Sequence, residues 1–350
     1  MKKTLLALAI AATATSVNAA EIYSNDDTKV SLKGEVDIYL TQSELDERND
    51  QGVRVTTKED ADVSTWAKIQ LDAEQKLNDE FTAFASFEIE TSDITADDKK
   101  HELAKFDDVY VGFKTDTWGM AFGEVGDLAE SADAIQKDDI TNEGNYMGST
   151  GGHHRESKGH GAVFKGEFVE GLTLVADVNT VADENIDNTY GISADYAFSN
   201  FSIGASYITG EAEKDIDYSL AGVSASAEFG GLYLALTYAQ FEGVNELGYW
   251  ERGARYNGDT MGFAAAYQMD KVRLYTTYAI GNMDEKATAS GNQKLAKDQE
   301  VDNLVVGVDY AFRDNILFLA EYQTATLDYN VSGMTNLDAD TVTAGVYYTF

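Results

Sequence analysis

The 350-residue chain contains neither cysteine nor proline. Without cysteine it has no disulfide, no zinc site built from thiolates and no thiol nucleophile, so other interactions must hold the fold together. Proline averages about 5% of residues in proteins, and a sheet without edges offers few places for a residue that lacks an N–H group. The absence of proline therefore favours a closed β-sheet.

Basic residues are scarce as well: 26 Lys and Arg oppose 61 Asp and Glu, which gives a formal net charge of −35. Phosphate contacts need a basic footprint, so we expect no nucleic acid partner. The charge also opposes docking on anionic lipid unless divalent cations bridge the two surfaces. A hydrophobic content of 43% and an aromatic content of 11% do not fit a disordered chain.

No uncharged apolar run reaches the about 20 residues that a membrane-spanning helix requires. The most apolar stretch, residues 5–17, follows the basic pair Lys2 and Lys3 and ends in small residues before Ala20. This order predicts a signal peptide over residues 1–19 and a mature chain over residues 20–350. Removal of that segment lowers the basic count from 26 to 24 against 61 acidic residues. We therefore expect an exported, acidic protein that does not cross a membrane with helices.

Alternation of apolar and polar residues is the main structural signal, and it marks β-strands with one apolar face. The opposite faces carry many ionisable groups, and the runs are about 10 residues long, as tilted strands between lipid and water require. The closing run places Val342, Ala344, Val346, Tyr348 and Phe350 on one face, and similar runs occupy residues 29–40, 303–312 and 316–323.

Short and long connections alternate along the chain. Seven short turns, such as Ser199-Asn200, Gly230-Gly231 and Asp270-Lys271, separate eight hairpins and predict sixteen strands. Turns on one side and polar loops on the other indicate an all-β, 16-stranded antiparallel transmembrane β-barrel with periplasmic turns. The long connections are predicted at residues 43–61, 93–102, 126–157, 183–188, 213–217, 244–256, 284–300 and 328–338.

Aromatic residues collect beside the short turns. Tyr and Phe rings suit the membrane–water interface, so this distribution predicts an aromatic girdle. Core packing next to the turns is the alternative. The predicted girdle contains Phe168, Tyr196, Phe198, Phe201, Phe229, Tyr233, Tyr267, Tyr310 and Phe312.

Three segments resemble the trimeric general porins of Gram-negative outer membranes. Residues 20–34 are similar to their opening strand, residues 340–350 to their closing strand, and residues 110–123 to the strand pair before their constriction loop. The resemblance implies a homotrimer in the outer membrane that passes ions and small hydrophilic solutes by diffusion. It also implies that the third long loop, about residues 126–157, folds into the lumen and narrows it.

The resemblance further implies loop carboxylates that face a basic wall. The loop lacks the Pro-Glu-Phe-Gly-Gly tip of enterobacterial members, and Glu35 and Glu124 occupy wall positions that are usually basic. Strand parity makes the lumen mostly acidic, which predicts a preference for cations; charges that merely solvate a weakly selective wall are the alternative. The candidate loop residues are Asp127, Glu130, Asp133, Asp138, Asp139 and Glu143, and the candidate wall residues are Lys33, Glu35, Asp37, Lys68, Glu88, Glu124 and Arg273.

Other chemistry has little support in the sequence. His153, His154 and His160 lie in a Gly-rich stretch without matching carboxylate spacing, so no metal site or cofactor is expected. Catalytic motifs are absent, which argues against an enzyme. Acidic loops can meet lipopolysaccharide through divalent cations. One open alternative is a sugar-selective channel, which needs a track of inward aromatics; Tyr39, Trp66 and Tyr275 are inward candidates but form no obvious track. The others are a barrel-anchored adhesin or receptor and a soluble acidic β-protein.

Overall fold

The computed structural model of the chain describes residues 20–49, 51–91, 104–125, 131–144, 161–247, 250–331 and 333–350. The predicted signal peptide lies outside these residues. Within the described ranges no helix has the length and apolarity that a membrane crossing needs. The elements are β1 (Ala20–Ser24), β2 (Thr28–Arg48), β3 (Arg54–Lys76), β4 (Thr82–Glu90), β5 (Lys105–Lys114), β6 (Trp118–Gly123), the 3₁₀ helix η1 (Ser131–Ile135), β7 (Gly161–Val169), β8 (Leu172–Asn179), β9 (Thr189–Phe198), β10 (Phe201–Glu213), β11 (Ile216–Phe229), β12 (Leu232–Leu247), β13 (Trp250–Met269), β14 (Val272–Ala287), β15 (Gln293–Arg313), β16 (Ile316–Asp328) and β17 (Leu337–Thr349).

Strands β2 to β17 form a closed antiparallel barrel. Each pairs with the next along the chain, and β17 pairs back with β2 from Ala339↔Leu45 to Thr349↔Glu35. The predicted all-β class and the count of sixteen barrel strands are confirmed. The short β1 pairs with the first residues of β2 and extends the line of β17. Between them, Gly34 and Phe350 exchange two backbone hydrogen bonds of 2.8 Å.

The outer face of the barrel is apolar, as the alternation predicts. Ile38 and Leu40 are each 47% exposed, whereas Asp37 on the opposite face of the same strand is 4% exposed. Aromatic rings such as Phe198 and Phe201, 5.8 Å apart, stack outside beside the short turns. Tyr233 is a correction to the predicted girdle, because its hydroxyl donates to the Lys137 carbonyl inside the barrel.

Several strands run far beyond the predicted length of about 10 residues. Strand β2 has 21 residues, β3 has 23 and β15 has 21. The predicted long connections at 43–61, 244–256 and 284–300 were therefore wrong as loops, since hydrogen-bonded hairpins occupy most of them. The ladder continues because backbone pairing remains favourable outside the lipid, and only the outward side chains become polar, as at Gln42 and Glu44.

An apolar cluster lies inside the barrel, toward the loop ends of β10–β17. It includes Leu220, Phe241, Met283, Val301 and Leu327, each no more than 1% exposed. Parity shows that these side chains point inward, because their outward neighbours such as Tyr278 and Tyr322 are exposed. This half of the wall is therefore packed against other protein atoms, while the polar part of the lumen lies nearer β2–β5.

Candidate functional site

The connection between β6 and β7 enters the barrel. Its described portion, residues 131–144, begins with η1, which lies so close to β10 that a Cβ on Gly204 would meet the Ala134 carbonyl oxygen at 1.7 Å. The Ser131 N–H donates to Asp177 on β8 over 2.6 Å. Asp138 accepts a hydrogen bond from the Thr237 hydroxyl on β12. These contacts fix the first half of the segment to the inner wall.

The second half of this segment crosses to strands β14–β17. The N–H groups of Asn142 and Glu143 donate to the two carboxylate oxygens of Glu321 over 2.7 and 2.9 Å. The Tyr275 hydroxyl donates to the same carboxylate over 2.5 Å. Glu143 in turn accepts from the hydroxyl of Tyr347. Residues 131–144 therefore divide the lumen, and the open part faces β2–β5.

The structure separates the candidate loop carboxylates into different environments. Asp133, Asp139 and Glu143 are exposed, whereas Asp138 is 2% exposed against the wall. Asp127 and Glu130 lie outside the described residues. Asp138 therefore contacts the wall, whereas Asp133, Asp139 and Glu143 are open to solvent.

The candidate basic residues of the wall all lie in ion pairs. Lys33 contacts Asp72 at 2.8 Å, and Lys68 contacts Glu88 at 3.2 Å. Arg273 contacts Asp309 at 2.6 Å and also donates to the Ile140 carbonyl of the inserted segment. Each cation faces a carboxylate on the neighbouring strand, so the wall carries little net positive charge.

Two candidate carboxylates, Glu35 and Asp37, lie side by side on β2. Asp37 accepts a 3.0 Å hydrogen bond from the Tyr39 hydroxyl, and its Oδ1 has no partner within the described part of the chain. Glu124 follows β6, where it is half-buried and its N–H donates to the Val109 carbonyl at 2.9 Å. A single cavity is lined by Glu35, Asp37, Tyr39, Thr41, Ser64, Trp66, Glu143 and Tyr347.

Three residues outside the set of candidate site residues organise the lumen. Glu321 holds residues 142–143, Tyr347 holds Glu143, and Lys137 pairs with Asp195 on β9. Parity alone places Glu321 and Tyr347 inside the barrel. The Lys137 pair has no signal in the sequence, because its partner lies on a strand 58 residues away.

The hairpin of β12 and β13 bends over the loop side of the lumen. Trp250, 6% exposed, belongs to the apolar cluster, and its indole N–H donates to the Asp46 carbonyl at 2.9 Å. Leu45 and Tyr329 pack against the same cluster. The mouth on this side is therefore partly covered by apolar side chains.

A rim triad of Asp46, Arg54 and Asp338 joins β2, β3 and β17 beyond the lipid-facing residues. Arg54 pairs with Asp46 and lies 3.3 Å from Asp338, whose N–H donates to Asp46 over 3.2 Å. Burial alone would raise the pKa of Asp46, but hydrogen bonds from Thr56 and Arg54 outweigh it and hold the pKa below its ordinary value. Asp46 is therefore ionised at neutral pH.

A closed barrel with an apolar exterior, a charged lumen and an inserted connection defines an outer-membrane diffusion channel. The family profile described as "Gram-negative porin" matches residues 6–330, and the chain belongs to this family. The protein is therefore a channel of the Gram-negative outer membrane rather than an enzyme, and it works as a general porin.

Individual relatives agree with this assignment. The chain is similar to the outer membrane porin protein OmpD of Salmonella typhimurium LT2, with 26% identity covering 94% of this chain and 93% of that protein. It is also similar to a monosaccharide porin of Halomonas sp., with 29% identity and full coverage of both chains.

Solved structures share the fold. OmpF of Salmonella typhi, in complex with daunomycin, superposes with a TM-score of 0.69 at 19% identity, covering 94% of this chain and 100% of that one. A trimer form of OmpT of Vibrio cholerae superposes with a TM-score of 0.60 at 16% identity, covering 93% and 100%.

Proposed function

We propose that this porin prefers cations. The observation that supports the proposal is the pairing of Lys33, Lys68 and Arg273 with carboxylates, while Glu35 and Asp37 lack an ion pair among the described residues. A carboxylate that is not held in an ion pair attracts cations in a narrow, water-filled passage, because the low-dielectric wall focuses its field.

The same pattern extends along the wall. Lys105 contacts Glu90 at 2.6 Å and Lys114 contacts Glu74 at 2.5 Å. Lys165 on β7 points inward and has no ion pair with another described residue, so it contributes positive charge on the side away from β2–β5. The balance on β2–β5 is nevertheless negative, and the loop carboxylates Asp139 and Glu143 add to it.

The constriction is proposed to lie between residues 138–143 and the β2–β3 wall. Passage would then depend on solute size and charge. A homotrimer is proposed as the assembly, supported by the likeness to porins such as OmpT, for which a trimer form is known. Contact with lipopolysaccharide through divalent cations at the acidic outer rim is proposed on the charge of that rim.

The test is planar-bilayer recording of the purified protein under a KCl gradient. We expect stepwise conductance with a reversal potential on the K⁺ side, and steps in groups of three if the protein is a trimer. A reversal potential on the Cl⁻ side would reject cation preference. Insertion of folded protein without any conductance would reject an open pore.

A sugar channel is the second candidate function. Tyr39, Trp66 and Tyr347 line one cavity with carboxylates, which is a surface that sugars can use, and one relative is named a monosaccharide porin. Tyr275 does not join this group, because it is bound to Glu321. Saturable block of the K⁺ current by glucose would favour this candidate, and a current that falls only in proportion to solution viscosity would reject it.

A further inference from the structure

We propose that the cavity around Asp37 is a binding subsite for small organic cations that carry a primary ammonium group. The inference deepens the proposed cation preference and rests on it. We define the Asp37 subsite as Glu35, Asp37, Tyr39, Trp66, Glu143 and Tyr347, which line one cavity on the open side of the lumen.

The first argument is a buried acceptor. Asp37 is only 4% exposed, and its Oδ1 has no hydrogen-bond partner within the described residues. Its other oxygen accepts from Tyr39 at 3.0 Å, which fixes the orientation of the carboxylate. A buried anionic oxygen without a donor is costly, so a ligand that brings N–H groups gains a charge-assisted hydrogen bond there.

The second argument is the aromatic surround. Asp37 lies between Tyr347 on β17 and Trp66 on β3 in the strand register. The Tyr39 and Tyr347 rings meet edge to face at 5.9 Å. Aromatic faces attract cations, as Lys68 already shows with its ammonium group 5.3 Å from the centre of the Trp66 ring. The subsite therefore combines carboxylates with aromatic rings, a combination that suits an ammonium group.

The third argument excludes a metal ion as the preferred ligand. Among the residues that the structure describes, no group of three or more His, Asp or Glu side chains is placed to hold one. Hard cations such as Ca²⁺ need six or more oxygen ligands, and the described residues do not bring together enough carboxylates for such a site. Tyrosine hydroxyls also already donate to Asp37 and Glu143, so a neutral sugar hydroxyl adds less than a charged donor.

The test compares two cations of equal charge. Butylammonium offers N–H donors, whereas tetramethylammonium offers none. Each is titrated into the K⁺ current of the wild-type channel, and binding to the folded protein in detergent is measured in parallel by saturation-transfer NMR. We expect butylammonium to block and bind roughly tenfold more strongly, the factor that one hydrogen bond to a charged group provides.

Three variants test which residues cause the difference between butylammonium and tetramethylammonium. Asp37→Asn should remove the preference for butylammonium. Glu35→Gln should weaken both cations alike, because it changes only the local field. Glu44→Gln, on the outer part of the same strand beside Lys58, is the matched control and should change neither.

Equal binding of the two cations to the wild-type protein would overturn the subsite, as would a preference that survives Asp37→Asn. The KCl reversal potential without amines is recorded in the same experiment. A cation-preferring channel without amine discrimination would therefore reject the subsite alone. An anion-preferring or closed channel would reject the proposed function, and the NMR titration would still decide the subsite.

Discussion

The indole N–H of Trp250 donates to the backbone carbonyl of Asp46, 2.9 Å away and 204 residues earlier in the chain. This contact joins the β12–β13 hairpin to β2. Around the barrel, β14, β15, β16 and β17 lie between β13 and β2. The apolar cluster beneath it has no contact with lipid, because its side chains point into the barrel. The mouth of this porin is therefore shaped by a packed core as well as by solvated loops.

Trp250→Ala should loosen the mouth. Truncation of a buried Trp costs about 3–5 kcal/mol, and here the loss falls near the end of the β12–β13 hairpin rather than on the lipid-facing part of the barrel. We expect a larger and noisier single-channel conductance and faster proteolysis within residues 244–254. Trp250→Phe keeps the ring but loses the N–H, so it should show a smaller change. Unchanged conductance in both variants would show that the hairpin does not limit the current.

Gly307→Ala should disturb the inserted segment through Tyr275. A Cβ at Gly307 would lie 2.2 Å from the Tyr275 ring, so that ring must move. Tyr275 helps to orient Glu321, which binds residues 142–143. We expect an altered single-channel conductance and more frequent closures. Gly345→Ala is the control, because its Cβ would meet Leu319 only at 3.3 Å, and equal effects of the two substitutions would contradict this route.

The Lys68–Glu88 pair should set the sign of the local field. Glu88→Gln leaves Lys68 without its 3.2 Å partner and should lower cation preference. A charge about 8 Å from a passing ion contributes roughly 0.5 kcal/mol in water, so the permeability ratio should change about twofold. Lys68→Gln should shift the ratio the other way. Reversal potentials in a KCl gradient measure both, and the double variant should return close to the wild-type value.

Acid should release the rim triad only at low pH. Because the pKa of Asp46 is lower in the folded protein, its ionisation stabilises the fold above the ordinary Asp pKa of about 3.9. That contribution is lost as the pH falls through the folded value. The difference in thermal stability between wild type and Asp46→Asn should therefore be constant from pH 7 to pH 5 and vanish in stronger acid. A difference that disappears between pH 7 and pH 5 would contradict the lowered pKa.

The strand count was predictable because alternation and turn residues are local signals. Ser199 and Asp270 both have positive φ, at 54° and 53°, as the tight turns on the short-connection side require. The length of the hairpins was not predictable from hydropathy, since outward residues such as Gln42 and Glu44 are as polar as loop residues. Hydrogen bonding between neighbouring strands, rather than side-chain character, keeps these residues in the ladder.

The lumen was harder to predict than the barrel. Parity places Glu35 and Asp37 inside, but the pairing of Lys68 with Glu88 depends on a diagonal contact that requires the register of two strands. Inward apolar residues were missed because Leu304, Val305 and Val306 are all apolar, so the buried Val305 gives no break in the pattern. The contact of Tyr347 with Glu143 spans 204 residues and leaves no local trace.

The long hairpins restrict where this protein can accept new sequence. In a paired strand, one added residue turns every following side chain to the opposite face. The bend after β14, where Gly291 has a φ of 109° and open space around its Cα, carries no such constraint. A foreign peptide inserted there would lie at the end of the hydrogen-bonded β14–β15 hairpin. The same peptide inserted within residues 295–300 would shift the register of the strands that form the barrel wall.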